Sequence, residues 1–162
     1  MNMKKLSMAL TTLFGIGLLI FNSCGTVPIT GRRQLNLVSD GEILAASATQ
    51  YRQFISKSQL SHNSTYNNKV TQVGRRLAAA TNIYLKQNGY ESMLSTLSWE
   101  FNVVDSKQVN AFCMPGGKIV VYTGLLNLVG NGAHSDDELA AVMGHELSHA
   151  LAKHANERIS NQ

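Results

Sequence analysis

The feature that most constrains this sequence is a pair of histidines four residues apart, His145 and His149, inside an apolar segment near the C-terminus. The apolar positions around them recur at helical spacing and predict a largely buried α-helix: Leu139, Val142, Met143, Leu147, Ala150 and Leu151. Residues four apart project from one helix face, so the two imidazoles can share one tetrahedral zinc ion. The competing interpretation is two ordinary histidines on a helix.

Glu146 completes the pattern His-Glu-x-x-His. It is rotated by about 100° from His145 around the helix axis, so its carboxylate flanks the metal without replacing a histidine as ligand. From there it can take a proton from a water molecule and later pass it to a leaving amine. The zinc ion would lower the pKa of that water to about 7 and polarise the carbonyl of the bond to be cleaved. The pattern therefore indicates metalloprotease chemistry.

The remaining periodicities predict an α+β domain, with helices packed on a small, mostly antiparallel sheet. Capping boxes of Ser39 with Glu42 and of Ser135 with Glu138 mark two helix starts. The predicted elements, in order, are helices at about 39–57 and 66–87, strands at 97–103, 110–114 and 118–122, a helical turn at 124–129 and a long C-terminal helix at about 136–159.

The first 23 residues have the pattern of an export signal. Lys4 and Lys5 precede an apolar stretch, 6–21, that is too short and wrongly flanked for a stable membrane span. Cys24 follows a small residue, as in the bacterial lipobox, in which cleavage before the cysteine is followed by its lipidation. The alternative is an uncleaved anchor helix with an incidental cysteine. Both place the domain outside the cytoplasm and against a membrane.

Three segments are therefore expected: a lipoprotein signal peptide at 1–23, a tether at 24–38 and a metallopeptidase domain at 39–162. The tether lacks periodic apolar residues and should be poorly packed. Cys113 is then the only cysteine inside the domain, which excludes an internal disulfide. We expect it to be a small buried side chain, with a reactive thiol as the alternative.

The charge balance argues against a nucleic-acid partner. The 162 residues contain 14 Lys plus Arg and 10 Asp plus Glu, a net charge of +4. Two of the lysines lie in the segment expected to be removed, and no dense basic run occurs after it. With 44% hydrophobic and 15% charged residues, the composition also excludes a disordered tail.

Three separated blocks resemble the HtpX/CAAX-prenyl-endopeptidase family of zinc metallopeptidases. They are residues 27–39, 110–126 and 137–154, with the sequences VPITGRRQLNLVS, NAFCMPGGKIVVYTGLL and DELAAVMGHELSHALAKH. Within that family the sequence is most similar to bacterial outer-membrane lipoproteins of the LoiP type and to the mitochondrial Oma proteases.

The resemblance implies a zincin-like fold that binds one Zn²⁺ per subunit. His145 and His149 would be zinc ligands and Glu146 the general base. The strand near Asn110, Ala111 and Phe112 would be the edge at which a protein or peptide substrate binds by strand addition.

A catalytic zinc site needs a third protein ligand, which in this family is a glutamate on a later helix. On a helix that continues to 159, Glu157 lies about 12 Å from His149 along the axis, and His154 is rotated by about 140°. Neither would reach the metal, so we expect the third ligand to be missing. The chain would be the N-terminal part of a longer protease or a short relative that binds metal weakly. His134 and His62 are the candidate substitutes.

The function implied is that of a zinc metalloendopeptidase held to a membrane by its N-terminal lipid. It would face the periplasm from the outer membrane and cleave misfolded or membrane-associated proteins of the bacterial envelope. With only two zinc ligands, the 162-residue chain alone should have little activity. The alternative is a catalytically inactive envelope lipoprotein that binds proteins through the same edge strand.

Overall fold

The computed structural model describes residues 24–26, 29, 31, 33–35 and 38–153. The strands are β1 (Cys24–Thr26), β2 (Arg33–Leu35), β3 (Glu100–Val104), β4 (Ala111–Met114) and β5 (Lys118–Tyr122). The helices are α1 (Asp40–Lys57), α2 (Ser64–Gln87), α3 (Thr123–Val129) and α4 (Ser135–Leu151), with a 3₁₀-helix at Glu91–Thr96. The predicted α+β class is confirmed, and none of the helices in the described part is long and apolar enough to span a membrane.

The main sheet is mixed, so the expectation of a mostly antiparallel sheet is wrong. β5 lies in the centre, parallel to β3 and antiparallel to β4. Ile119, Val120 and Val121 are each 0% exposed, which is the uninterrupted apolar run expected of a strand covered on both faces. The chain passes from β3 to the outer position of β4, and the β4–β5 hairpin then returns it to the centre.

Helices cover both faces of this sheet, because successive side chains of a strand point to opposite sides. One face packs against α2 and α4 in a cluster that includes Val73, Ile119, Val121, Leu139 and Met143. The other face packs against α1 through Tyr51, Val104, Val120, Phe54 and Phe112. The inner side of the helix that carries the His-Glu-x-x-His pattern is therefore fixed against the sheet.

Only one of the two predicted capping boxes is formed. The Ser39 box forms: the hydroxyl accepts from the Glu42 N–H at 3.3 Å, and the Glu42 carboxylate accepts from the Ser39 N–H at 3.0 Å. The Ser135 box does not form, because α4 begins at Ser135 itself and has no side-chain cap. The Ser135 hydroxyl is buried and accepts a hydrogen bond from Lys69 instead.

The last helix is shorter than predicted. α4 ends at Leu151, and Lys153 adopts a left-handed conformation with φ of 55°. That conformation cannot continue a right-handed helix. The Lys153 ammonium donates to the Asp40 carboxylate at 2.5 Å, so the end of α4 is tied to the start of α1. The prediction of a helix that continues without interruption to 159 is therefore wrong at this point, and 154–162 lie outside the described residues.

The segment predicted as a tether contains a short hairpin. β1 and β2 pair in antiparallel register, with Cys24 opposite Leu35. Gly31 lies between them with φ of 64°, a left-handed conformation that glycine adopts without strain. The expected signal peptide at 1–23 lies outside the described residues.

Candidate metal centre

His145 and His149 lie one turn apart on the exposed side of α4. Their Nε2 atoms are 3.0 Å apart and their ring planes are nearly perpendicular, at 85°. A tetrahedral zinc ion with Zn–N bonds of about 2.0–2.1 Å separates two ligand nitrogens by about 3.3 Å. The two nitrogens therefore already lie close to the spacing that a shared zinc ion requires, and imidazole is a preferred zinc ligand.

The opposite side of α4 fixes this pair in place. Leu139, Met143 and Leu147 are 0%, 0% and 4% exposed, and they hold the helix against the core. The Ser148 hydroxyl donates to the His145 carbonyl at 2.7 Å on the outer side. A helix anchored in this way presents two side chains four residues apart with little freedom to separate.

Glu146 lies on the part of α4 that approaches β4. Burial, and secondarily the negative charge of Glu146, raise the pKa of the Cys113 thiol to about 12. This thiol therefore stays protonated at neutral pH, which agrees with the expectation of a small buried side chain rather than a reactive one. The helix that carries Glu146 packs against β4, the strand that contains Cys113.

Within residues 38–153, no group of three or more His, Cys, Asp or Glu side chains is placed to hold one metal ion. His62 is exposed, and the His134 side chain is 85% exposed and lies 3.9 Å from the Asp137 carboxylate. Neither substitute ligand joins the histidine pair.

The end of α4 changes the argument about the third ligand. The prediction that His154 and Glu157 cannot reach the metal depends on a helix that continues beyond Lys153. Because the helix ends at Leu151 and the chain turns at Lys153, that exclusion no longer follows. Both residues lie outside the described part of the chain.

Lys69 fixes the beginning of α4, a role that no pattern in the sequence indicated. Its ammonium donates to the Gly130 carbonyl and to the Ser135 hydroxyl, each at 2.7 Å, and lies 3.6 Å from the Asp136 carboxylate. The side chain is only 10% exposed. It therefore joins the end of α3 to the first turn of the helix that carries the histidines. In the sequence, a lysine of this kind looks the same as one on a solvated helix surface.

β4 is the open edge of the sheet. The Tyr122 N–H donates to the Asn110 carbonyl at 3.0 Å, which sets the alternation of the antiparallel pair. The backbone groups that face β5 belong to alternate residues: Asn110, Phe112 and Met114. Those of Ala111 and Cys113 face outward and have no partner among the described residues. Of the three residues expected to bind substrate, Ala111 turns its backbone to the open edge, and Cys113 is a second such residue.

The edge formed by β3 is largely covered. The Ser61 N–H donates to the Val103 carbonyl at 2.9 Å, and the Asp105 N–H donates to the Gln59 carbonyl at 2.7 Å. On the side of β4, the open stretch ends at Pro115, which has no N–H and whose carbonyl accepts from the Ser47 hydroxyl at 3.0 Å. Among the described residues of the main sheet, the backbone beside Ala111 and Cys113 is therefore the place best suited to pair with an added strand.

A separate apolar cavity of about 270 Å³ lies elsewhere, between the start of α1, the 3₁₀-helix, the turn after β4 and the end of α4. Its lining includes Ile43, Met93, Leu147 and Leu151 but none of the three motif residues. On α4, Leu147 and Leu151 lie roughly 120–160° around the helix axis from the two histidines. This cavity is therefore not part of the histidine site.

The parts of this chain that match known proteins include the histidine pair and most of the domain. Residues 64–162 match Peptidase family M48. The mitochondrial metalloendopeptidase OMA1 of Arabidopsis thaliana is 51% identical over 75 residues, 46% of this chain and 15% of that protein. The human metalloendopeptidase OMA1 is 30% identical over 162 residues, 97% of this chain and 29% of that protein. The Escherichia coli metalloprotease LoiP is 41% identical over 54 residues, 33% of this chain and 19% of that protein.

The chain spans well under half the length of these curated relatives. The family match nevertheless covers more than half of the chain and includes α2, the whole main sheet and α4 with its histidine pair. The resemblance seen in the sequence is confirmed: the chain belongs to Peptidase family M48, a family of metalloendopeptidases related to OMA1 and LoiP.

Proposed function

We propose that the protein is a zinc-dependent metalloendopeptidase in which His145 and His149 bind the metal and Glu146 transfers the proton. The observation that carries this proposal is the 3.0 Å separation of the two Nε2 atoms on a helix fixed against the sheet. Zinc, when bound, polarises the scissile carbonyl and makes water a better nucleophile at neutral pH.

The residues of the chain supply the proton transfer and the orientation of the substrate. The Glu146 carboxylate accepts a proton from the attacking water and returns it to the leaving nitrogen. Its position beside β4 places it next to any strand paired with that edge. The outward N–H and C=O groups of Ala111 and Cys113 hold such a strand extended, which limits the orientations of the bond to be cleaved.

The proposal requires a third protein ligand, which we place after Lys153. Three protein ligands and one open position are the usual arrangement of a catalytic zinc ion. His154 and Glu157 are candidates within this chain, and a later glutamate is the candidate that the family resemblance implies. The alternative function, a catalytically inactive envelope protein that binds polypeptides through β4, applies if no such ligand exists.

The test compares casein cleavage and zinc content of the 162-residue chain with those of a form extended at its C-terminus. We expect cleavage that a chelator abolishes and added Zn²⁺ restores, with one zinc ion per chain in the active form. Folded protein that binds casein but leaves it intact in both forms, with zinc present, would contradict the peptidase and favour the alternative.

For location, we propose that Cys24 is lipidated and holds the domain at a membrane of the bacterial envelope, facing the periplasm. The support is the leader pattern before Cys24 and the similarity of 27–39 to the segment that follows the lipidated cysteine in LoiP-type proteins. Misfolded or membrane-associated envelope proteins would then be the substrates within reach.

Cys24→Ala is expected to remove palmitate labelling and to leave the precursor unprocessed. Cys113→Ala is the matched control, since it removes the other cysteine and should leave labelling unchanged. The measurement is labelling with radioactive palmitate followed by membrane fractionation. Equal labelling of wild type and Cys24→Ala would show that the cysteine is incidental.

A further inference from the structure

Two exposed apolar side chains flank the start of the open edge. Among the described residues, four large hydrophobic side chains are exposed, and Val109 and Leu128 are the most exposed of them, at 60% and 70%. Val109 comes directly before Asn110, where the pairing with β5 begins. Leu128 lies on α3, which follows β5.

The first turn of α3 brings Leu128 to the same side of the domain as Val109. A Cβ atom built on Gly124 would lie 2.3 Å from the Gln108 carbonyl oxygen, so this face of α3 packs directly against the chain that leads into β4. Leu128 is four residues after Gly124 and therefore lies on the same helix face, one turn further along. Gln108 is the residue before Val109, so the helix face that carries Leu128 begins where α3 packs on the backbone next to Val109.

The position of Val109 relates it to the edge strand. It precedes Ala111 by two residues, so the alternation of side chains puts it on the face of the sheet that carries Ala111 and Cys113. Those two side chains pack in the cluster with α4, whereas Val109 lies beyond the cluster and is exposed. A strand paired with Ala111 and Cys113 would pass this exposed side chain.

We propose that Val109 and Leu128 form an apolar subsite for the polypeptide strand that pairs with β4. The preferred substrates are then extended segments with a large apolar side chain at the position beside Val109, as unfolded proteins expose. This rests on the strand addition in the proposed function. The outward backbone groups of Ala111 and Cys113 identify the occupant as a polypeptide, because an extended chain presents N–H and C=O groups at the same spacing.

The test uses the chain with Glu146→Gln, so that bound peptides are not cleaved. The probes are fluorescent ten-residue threonine peptides, each with one leucine, moved by one position from peptide to peptide. We expect one leucine position to bind about tenfold more tightly than the all-threonine peptide, which corresponds to burial of roughly 50–60 Å² of apolar surface. Adding Val109→Ser or Leu128→Ser should bring this ratio close to one.

Ile83→Ser is the matched control, because Ile83 is 56% exposed but lies on α2. It should keep the tenfold leucine preference. Hydrogen exchange adds a second measurement: bound peptide should protect the amides of Ala111 and Cys113, which have no backbone partner among the described residues. Thermal unfolding of each variant checks that it is folded.

A leucine preference that survives both Val109→Ser and Leu128→Ser overturns the subsite, and so does the absence of any peptide binding. Peptide binding without protection of the Ala111 and Cys113 amides also overturns it, because the strand would then pair elsewhere. A protein that shows the leucine preference but does not cleave casein contradicts the peptidase alone.

Discussion

Replacing Glu146 with glutamine is expected to lower kcat/KM for casein cleavage by about 10³-fold while zinc stays bound. Glutamine has nearly the same shape as glutamate but cannot accept the proton of the attacking water. General acid–base catalysis by one side chain contributes about 10²–10⁴-fold, so the loss should fall in that range. His145 and His149, the proposed zinc ligands, are unchanged by this substitution.

Glu138→Gln is the control for this substitution, because Glu138 lies in the exposed first turn of the same helix. It should change the rate less than twofold. Zinc content measured by mass spectrometry and initial rates on one preparation separate loss of metal from loss of proton transfer. A Glu146→Gln variant that keeps more than a tenth of the wild-type rate would mean that another group acts as the base.

Gly124→Ala is expected to destabilise the fold by about 3 kcal/mol. The added Cβ would lie 2.3 Å from the Gln108 carbonyl oxygen and 2.5 Å from that of Lys107, and both are backbone atoms. They cannot move away easily, because the Gly124 N–H donates to the Ser106 carbonyl at 2.8 Å and the Thr123 hydroxyl donates to the same carbonyl. The substitution must separate α3 from the chain leading into β4.

Gly144→Ala is the matched control within a helix. Its nearest neighbour would be a Leu77 methyl group at 3.8 Å, an ordinary contact, and alanine is the better helix former by about 1 kcal/mol. This variant should be as stable as the wild type or slightly more stable. Urea unfolding at one pH provides the comparison, and equal midpoints for Gly124→Ala and the wild type would rule out the steric argument.

Local patterns were sufficient to predict most elements of the domain but not their arrangement. The run Lys118–Tyr122 was predicted with its observed bounds, because four residues of high strand propensity, 119–122, come shortly after a glycine turn. No local sequence pattern predicted that β5 would lie in the centre of the sheet. Which strand becomes the neighbour of β3 depends on how the chain crosses at 105–110, and no periodicity encodes that.

In the candidate site, too, the local pattern was predicted and the long-range contacts were not. The spacing of His145, Glu146 and His149 predicted a shared helix, and the structure places the two imidazoles at a zinc-compatible distance. The end of α4 was predicted eight residues too late, since no glycine or proline follows Gly144 to mark a stop. The turn is made by Lys153, whose ion pair with Asp40 joins residues far apart in the sequence. Contacts of that kind arise only in the folded chain.

The two edges of the main sheet differ in a way that limits self-association. Two copies can join through their β4 edges, since each offers the outward backbone groups of Ala111 and Cys113. The opposite edge is covered in part, at Val103 and Asp105. Joining through β4 would therefore give a symmetric dimer that uses the open β4 edge of both copies. Such a dimer would occupy the surface on which we propose that a substrate strand pairs, so a high local concentration of the protein would itself reduce the number of open edges.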